Sequence, residues 1–295
     1  MNAPVSEELI RSNPPQSQWP APLTASEWDE RFPGILDGIA LMGGAANTIL
    51  QLTRMPVGYG VMESKVDSGN IFKRPAKRTR TTLTYLAVAM LGTTEEKMAY
   101  RRAANTSHAQ VRSEPGAKVA YNAFDPELQL WVAACLYWGF ADMNARLWGP
   151  MSPEKAAEFY RLAEPLGTTL QVRPGMWPKD LDAFNAYWEA GLQQLEIDEP
   201  LRQHLTMLAE ARFLPPWKQR LFGPVNRFFT IGFLPPPVRK LMRFEWTPAQ
   251  QKRFDHLMGL IAAVNRRLPR RVRQRIFLRL MQDMRVRMDK GLPLV

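Results

Sequence analysis

The sequence predicts an all-α fold, built as one large multi-helix domain. Apolar residues recur three and four positions apart along most of the chain, which places them on one face of a helix. Proline and glycine separate these segments, and no run alternates apolar and polar residues between hairpin signals, so a sheet is not expected. The 295 residues are 45% hydrophobic, which is enough for a substantial buried core.

The N-terminal residues 1–24 differ from the rest of the chain. They contain five prolines in a polar background, and we expect an extended arm without a core of its own. Trp19 is expected to dock on the helical domain, which comprises residues 25–295. We find no secretory signal and no apolar run of the ~20 residues needed to span a membrane. With a single cysteine, Cys135, in an apolar run, these features predict a cytoplasmic protein.

A long apolar helix is expected over residues 35–52. Pro56 ends it, because proline disfavours helical geometry in the residue before it. The pair Gly43-Gly44 lies inside this helix and costs about 1 kcal/mol per glycine relative to alanine. A ligand or a crossing helix is therefore expected to approach the backbone there.

The remaining helices are predicted from their capping residues and from proline and glycine. The expected segments are Arg78–Leu91 with Gly92 as its stop, a helix from Thr94 whose pattern reaches Arg112, Glu127–Leu147, helices whose first turns contain Pro153 and Pro178, and three or four more after Pro200, with Gly223-Pro224 among their separators. The chain therefore reads as a succession of helices joined by short connections.

His108 is the residue at which chemistry is most expected. It lies near the C-terminal end of the helix that begins at Thr94, among apolar and aromatic residues. A haem needs an apolar slot with a single imidazole on one face, and this segment offers both. The alternative is that a lone histidine on an amphipathic helix is structural, which is the commoner case. His204 and His256 are expected to be structural or solvated.

Arg78 and Thr82 lie one turn apart on the preceding helix, so their side chains share a face. A buried arginine can pair with a propionate or another carboxylate, and the threonine hydroxyl lies beside it. The alternative is that this basic segment is simply the solvated start of a helix.

Positive charge is concentrated at the C-terminus. The net charge is +11, and residues 266–290 contain ten basic and two acidic residues, so nucleic-acid binding is not expected. Residues 267–290 form a predicted basic helix with an apolar stripe. The stripe comprises Val272, Ile276, Leu280, Met284 and Met288. This helix is expected either to dock on an anionic membrane surface or to present a solvated basic face over a core stripe.

Four motifs in order resemble the MpaB and latex-clearing-protein family of oxygenases. They are GGAANTILQLTRMPVGYGVMES, RTRTT, LAVAMLGTTEEKMAYRRAANTSHAQV and YNAFDPELQLWV, which lie within residues 34–195. Characterised members of that family are all-α proteins that bind haem b and use dioxygen to cleave double bonds in isoprenoid chains. The resemblance thus implies a haem-type pocket between helices.

The resemblance also implies roles for individual residues. His108 would be the iron ligand, and Arg78 and Thr82 would lie near the haem. Glu63 and Thr82 are the implied catalytic residues, because a carboxylate near Glu63 is proposed as a base in rubber-cleaving members. Thr81 stands where those members carry a distal lysine, so a lysine-ligated resting state is not expected here.

The sequence therefore predicts a haem b-dependent oxygenase that acts with dioxygen on a hydrophobic, isoprenoid-type small molecule. A second hypothesis is a non-catalytic helical scaffold, or a peripheral protein at the inner membrane face that docks through its basic C-terminal helix.

Overall fold

The computed structural model describes residues 19–295 and confirms the all-α fold. In this range there is no strand, and the one isolated β-bridge joins Arg112 to Asn122. Two 3-10 helices span Gly38–Gly43 and Asp67–Gly69. The α-helices are α1 (Ala25–Arg31), α2 (Gly44–Leu52), α3 (Met55–Met62), α4 (Pro75–Leu91), α5 (Thr94–His108), α6 (Pro126–Trp148), α7 (Pro153–Leu162), α8 (Pro165–Thr168), α9 (Leu181–Gln193), α10 (Glu199–Ala209), α11 (Pro216–Phe233), α12 (Pro236–Leu241), α13 (Pro248–Arg267), α14 (Arg270–Arg273) and α15 (Arg275–Asp289).

Trp19 docks on the helical body, as predicted. Its ring is 7% exposed, its Nε1 donates a hydrogen bond to Thr168 Oγ1 at 3.0 Å, and Lys97 Nζ lies 5.8 Å from the ring centroid. The rest of the predicted arm, residues 1–18, lies outside the described residues.

The predicted helix over residues 35–52 is wrong in its N-terminal half. A 3-10 helix ends at Gly43 and α2 begins at Gly44. Pro56 opens the first turn of α3, so only two residues separate α2 from α3. A Cβ on Gly44 would meet open space, whereas one on Gly43 would lie 3.5 Å from Met143 Sδ on α6. A crossing helix therefore approaches at Gly43, and Gly44 faces a cavity.

Helices α4, α5 and α6 start and stop close to the predicted positions because local capping determines them. Gly92 ends α4, the Thr93 hydroxyl accepts a hydrogen bond from Glu96 N at 3.2 Å in a capping box, and the Asp125 carboxylate caps α6. His108 is the last residue of α5, so the pattern that reached Arg112 overestimated its length.

Two proline-based boundaries differ from the sequence prediction. Pro178 precedes α9, which is instead capped by Asp180 through a 2.8 Å bond from Ala183 N. Pro224 lies inside α11, so Gly223-Pro224 does not separate two helices. From α10 onward there are six helices, more than the three or four predicted, because Pro236, Pro248 and Pro269 each begin or precede a new one.

The core is centred on α6, which packs against α2, α8 and α13. Trp131 on α6 is fully buried and stacks on Trp188 of α9 with centroids 5.4 Å apart, and Trp138 stacks on the same ring at 5.3 Å. Cys135 is also fully buried, and burial raises the pKa of its thiol well above the ordinary value. It packs as a small apolar side chain, as predicted.

The C-terminal helices are tied to the N-terminal region by a buried ionic cluster. Arg273 on α14 donates to Asp37 Oδ1 at 2.5 Å and to Asp29 Oδ2 at 2.9 Å. Asp37, which is fully buried, also accepts from Asn265 Nδ2 at 2.5 Å and from Trp148 Nε1 at 3.2 Å. Every charge in the cluster thus faces a charge or a dipole of opposite sign.

The predicted apolar stripe of the C-terminal helix is wrong in its N-terminal part, while Leu280, Met284 and Met288 contact the core. Of its five residues only Met284 is buried, and Val272 and Ile276 are 52% and 36% exposed. The residues that face the core are Phe277, Met281 and Met284, and α15 packs against α4. None of the helices in residues 19–295 is long and apolar enough to cross a membrane.

Candidate functional site

A cavity of about 800 Å³ lies between the helices, within the range of ~300–1,000 Å³ that is typical of small-molecule sites. Its walls come from the 3-10 helix Gly38–Gly43 and from parts of α2 to α6, α10 and α11. Aliphatic and aromatic side chains dominate the lining. Polar groups converge on it in a few places only, which is the composition expected of a site for a mainly apolar ligand.

One wall of the cavity is α4. Arg78, Thr81 and Thr82 all line the cavity, because residues three and four apart share a helix face. Helices α4 and α5 are fixed relative to each other by Tyr100, whose hydroxyl donates to the Thr81 carbonyl at 2.6 Å. The predicted convergence of Arg78 and Thr82 on one face is therefore observed.

The Arg78 guanidinium is an unpaired cation at the cavity wall. Burial lowers its pKa, but an arginine with a lowered pKa remains charged at neutral pH. Within residues 19–295 it has no ion-pair or hydrogen-bond partner. A desolvated cation without a counter-charge is costly, and its planar donors match a carboxylate. The site thus has a place for an anionic group of a ligand.

His108 reaches the same cavity from the end of α5. Its Nδ1 is buried and has no hydrogen-bond partner within the described chain, and its ring meets the edge of Phe124 at a centroid distance of 6.4 Å. Burial, together with the positive charge of Arg78, lowers the pKa of His108 to about 4. The imidazole is therefore neutral at pH 7 and able to ligate a metal ion.

The connection between α5 and α6 forms a wall of the cavity near His108. Ser113 N donates to Tyr121 O and Ala123 N donates to Val111 O, each at 2.9 Å, so residues 111–123 fold back as a narrow loop. Val111 and Tyr121 from this loop line the cavity beside His108. The loop thereby limits the access of water to the imidazole.

Glu63 is not brought to this cavity. It caps the C-terminus of α3, its side chain is exposed, and it is absent from the cavity lining in the described part of the chain. Burial, and then the Glu63 carboxylate, raises the pKa of Tyr121. Glu63 therefore lies beside Tyr121, outside the cavity lining, and its predicted role as a base stays a prediction.

His204 lines the cavity, which the sequence pattern did not predict. It lies on α10 with its ring 5.2 Å from Phe72, and burial lowers its pKa. His256 is exposed, in agreement with the prediction. The two histidines differ in the orientation of their helices, since α10 packs against α2 and α3 and places His204 at the cavity. This orientation depends on tertiary packing.

Asn47 and Gln51 form a second polar feature of the cavity that the sequence pattern missed. Asn47 Nδ2 donates to the Cys135 carbonyl at 2.6 Å, and Gln51 Nε2 donates to Asn47 Oδ1 at 2.7 Å. Asn47 fits beside α6 because Gly139 has no Cβ, which would lie 2.4 Å from the amide nitrogen. Glycine in the middle of a long helix was the available signal for such a close approach.

The residues present fit a haem. In residues 19–295 no three His, Cys, Asp or Glu side chains cluster as metal ligands, so a metal held at His108 would need a group that brings most of its own ligands. A porphyrin does so, and it carries the carboxylates that an unpaired Arg78 would bind. The orphaned imidazole and the unpaired guanidinium are thus both explained by the same ligand.

Comparison with known proteins places this geometry in a family. The model of the family described as ER-bound oxygenase mpaB/B'/Rubber oxygenase, catalytic domain, matches residues 34–263. Two uncharacterized proteins, from Mycobacterium bovis and Mycobacterium tuberculosis, are each 49% identical over 248 residues, which cover 84% of this chain and 97% of each relative. No solved structure matches significantly. The resemblance seen in residues 34–195 therefore extends through α11 and α12 to α13.

Proposed function

Because this chain belongs to the mpaB and rubber oxygenase catalytic-domain family, whose members are oxygenases, we propose that it is a haem b-dependent oxygenase. We propose that it acts with dioxygen on a hydrophobic alkene of the isoprenoid type. The observation that carries this proposal is the pairing of a neutral, orphaned imidazole with an unpaired arginine in one apolar cavity.

His108 would hold the iron. A histidine ligand must be unprotonated, and the lowered pKa of His108 keeps it so across the physiological range. A bound haem would supply the iron centre at which dioxygen is activated. His108 is the last residue of α5. Its ring packs against the edge of Phe124, and this contact sets the orientation of the imidazole.

Arg78 would bind a carboxylate of the haem through its planar donors, which satisfies the buried cation and orients the group. Thr82, one turn further along α4, would contact the same face of the ligand. Thr81 also lines the cavity, and its side chain is a hydroxyl and not a cation. A substrate would therefore have room beside α4 at this residue. We assign no catalytic role to Glu63, because it is exposed and outside the cavity.

The apolar lining would bind the alkene and exclude water. Leu41, Met42 and Phe140 are among the side chains that line the cavity, and none of them can donate a proton to a reactive oxygen species. Exclusion of water favours transfer of oxygen to the substrate over its loss to solvent.

An absorption spectrum of protein purified from haem-supplemented cells tests this proposal. We expect a Soret band in the wild-type protein, loss of that band in His108→Ala, and retention of it in His256→Ala. His256 is the matched control because it is an exposed histidine outside the cavity. A wild-type protein that stays colourless after reconstitution with haemin, or a band unaffected by His108→Ala, would contradict the proposal.

Measurement of substrate turnover tests the proposed reaction with dioxygen and an alkene. Haem-loaded protein that consumes dioxygen with a polyprenyl alkene, but not with the saturated analogue, would support an alkene oxygenase. Equal consumption with both compounds would contradict an alkene-specific reaction, and consumption with neither would favour the alternative of a non-catalytic helical protein.

A further inference from the structure

The N-terminal half of α11 exposes four large apolar side chains. Trp217, Leu221, Phe222 and Val225 are 65%, 62%, 49% and 54% exposed. Trp217, Leu221 and Val225 recur at every fourth position, so they form one stripe along the helix, and Phe222 lies beside it. Scattered single apolar residues are normal on a surface, but four on two turns form a patch that calls for a partner.

Basic residues predominate in the segment of the chain that carries this patch. Residues 211–244 contain seven basic residues and no acidic one. Lys218, Arg220 and Arg227 are exposed on the same half of α11, and Lys218 Nζ lies 5.2 Å from the centroid of Trp217. An apolar stripe with tryptophan and leucine, flanked by lysine and arginine, is the composition of helices that lie in the interface of an anionic bilayer.

The C-terminal half of the same helix is fixed in the core. Ile231 and Phe233 are buried, and a Cβ on Gly232 would lie 2.3 Å from Phe254 Cδ2. Asn226 Nδ2 donates to the carbonyls of Leu208 and Ala209 at 3.3 and 2.8 Å. The exposed half is therefore presented on a rigid support.

The patch also adjoins the cavity. Phe213, just before α11, and Asn226 and Phe233, on α11, all line the cavity described above. The cavity therefore extends to the helix that carries the patch.

We propose that the N-terminal half of α11 docks on an anionic phospholipid bilayer and that the cavity receives its hydrophobic substrate from that bilayer. Docking stands on the α11 patch alone, whereas delivery of the substrate rests on the proposed oxygenase function. The exposed Lys218, Arg220 and Arg227 favour an anionic partner, and Trp217 suits the mixed polarity of a lipid headgroup region. The membrane contact is assigned to α11, and docking through the basic C-terminal helix α15 stays a prediction.

Sedimentation with lipid vesicles tests the docking. We expect the wild-type protein to bind vesicles that contain phosphatidylglycerol and phosphatidylcholine, and to bind pure phosphatidylcholine vesicles less. The double variant Trp217→Glu, Leu221→Glu should lower binding to the anionic vesicles at least about tenfold. The matched control is Leu260→Glu, Val264→Glu on α13, whose residues are 53% and 61% exposed in another apolar groove.

The control variant should bind vesicles as the wild-type protein does. Circular dichroism would confirm that both double variants keep their helical content, which we expect because all four positions are exposed. Docking through α11 would be overturned by wild-type protein that binds neither type of vesicle, by an α11 variant that binds normally, or by loss of binding in the α13 variant alone.

A second measurement separates delivery from docking. On substrate dissolved in anionic vesicles the α11 variant should turn over at least about tenfold more slowly than the wild-type protein, and on substrate in detergent micelles the two should be equal. Equal rates on vesicles would overturn delivery. A protein without any oxygenase activity would refute the proposed function, while the sedimentation result would still decide the docking.

Discussion

Two arginines of this molecule, Arg273 and Arg78, have opposite electrostatic environments. Arg273 contacts two carboxylates, those of Asp37 and Asp29, at 2.5 and 2.9 Å, and its guanidinium lies 5.0 Å from the centroid of Trp148. Arg78 has no ion pair within the described chain and faces the large cavity. The first arrangement supplies the counter-charges of its arginine from within the protein, and the second lacks one.

On the proposed function, Arg273 carries a structural charge and Arg78 a charge that binds the ligand. A buried ion pair that is broken from one side leaves the other side uncompensated, so Arg273 is needed for the fold. An unpaired cation destabilises the fold until an anion binds, so the protein has no structural reason to keep Arg78. This comparison predicts opposite outcomes when each arginine is replaced by a neutral side chain of similar length.

The largest effect is expected for Arg273→Met. It leaves Asp37 and Asp29 buried without a cation, and should lower the free energy of unfolding by about 3–5 kcal/mol. Arg78→Met should change it by less than about 1 kcal/mol, or raise it. Urea unfolding of the haem-free proteins, followed by circular dichroism, measures both values. Equal losses of unfolding free energy in the two variants would contradict the distinction between Arg273 and Arg78.

A buried lysine extends the comparison to pH. Burial lowers the pKa of Lys97, which is 2% exposed, to about 8. The unfolded chain holds this proton up to its ordinary pKa near 10.5, so it binds more protons than the folded protein between pH 8 and 10.5. The buried charge of Lys97 therefore lowers the free energy of unfolding below pH 8. This loss becomes smaller as the pH rises from 8 toward 10.5.

Lys97→Met should accordingly raise the free energy of unfolding at pH 7 by up to about 3 kcal/mol. The advantage of the variant should shrink as the pH increases from 8 toward 10. Denaturation of both proteins at several pH values gives this difference directly. An advantage that stays constant with pH would show that packing against Trp19, and not the buried charge, sets the effect.

The effect expected next in size is on ligand binding, in the variant Arg78→Met. Loss of a charge-assisted pair with a haem carboxylate should weaken haem binding by about tenfold to a hundredfold. The matched control is Arg80→Met, because Arg80 lies two residues along α4, pairs with Asp283 at 3.4 Å and does not line the cavity. Haemin titration of the two apoproteins compares them, and equal affinities would contradict an anion site at Arg78.

Thr84 provides the smallest effect. Its hydroxyl is buried on α4 without a hydrogen-bond partner in the described chain, but unlike Arg78 it does not line the cavity. Thr84→Val removes an unsatisfied polar group of nearly the same shape, and should raise stability by up to about 1 kcal/mol with haem affinity unchanged. A marked loss of stability in thermal unfolding would mean that the hydroxyl has a partner, such as a buried water.

Local sequence signals predicted the part of the fold that carries the site. Gly92, the Thr93 capping box and Asp125 bound α4, α5 and α6, and each acts within a few residues of itself. The ordered family motifs then identified Arg78 and His108, which the cavity brings together.

Features that depend on how helices cross were not predictable. The core face of α15 and the exposure of α11 are set by neighbours that are distant in the sequence, so the apolar pattern alone assigned the N-terminal part of the stripe wrongly. Glu63 was carried over by motif order, yet α3 ends with this side chain directed outward. Gly223-Pro224 predicts the end of a helix, because no neighbouring residue indicates that α11 continues past Pro224.

The most direct test of the site is chemical rescue of the iron ligand. His108→Gly removes the imidazole from the cavity, and free imidazole is small enough to replace it. The account predicts that the variant supplied with haemin lacks the Soret band of the wild-type protein, and that added imidazole restores this band. A variant whose spectrum equals that of the wild-type protein without imidazole would show that His108 does not hold the iron.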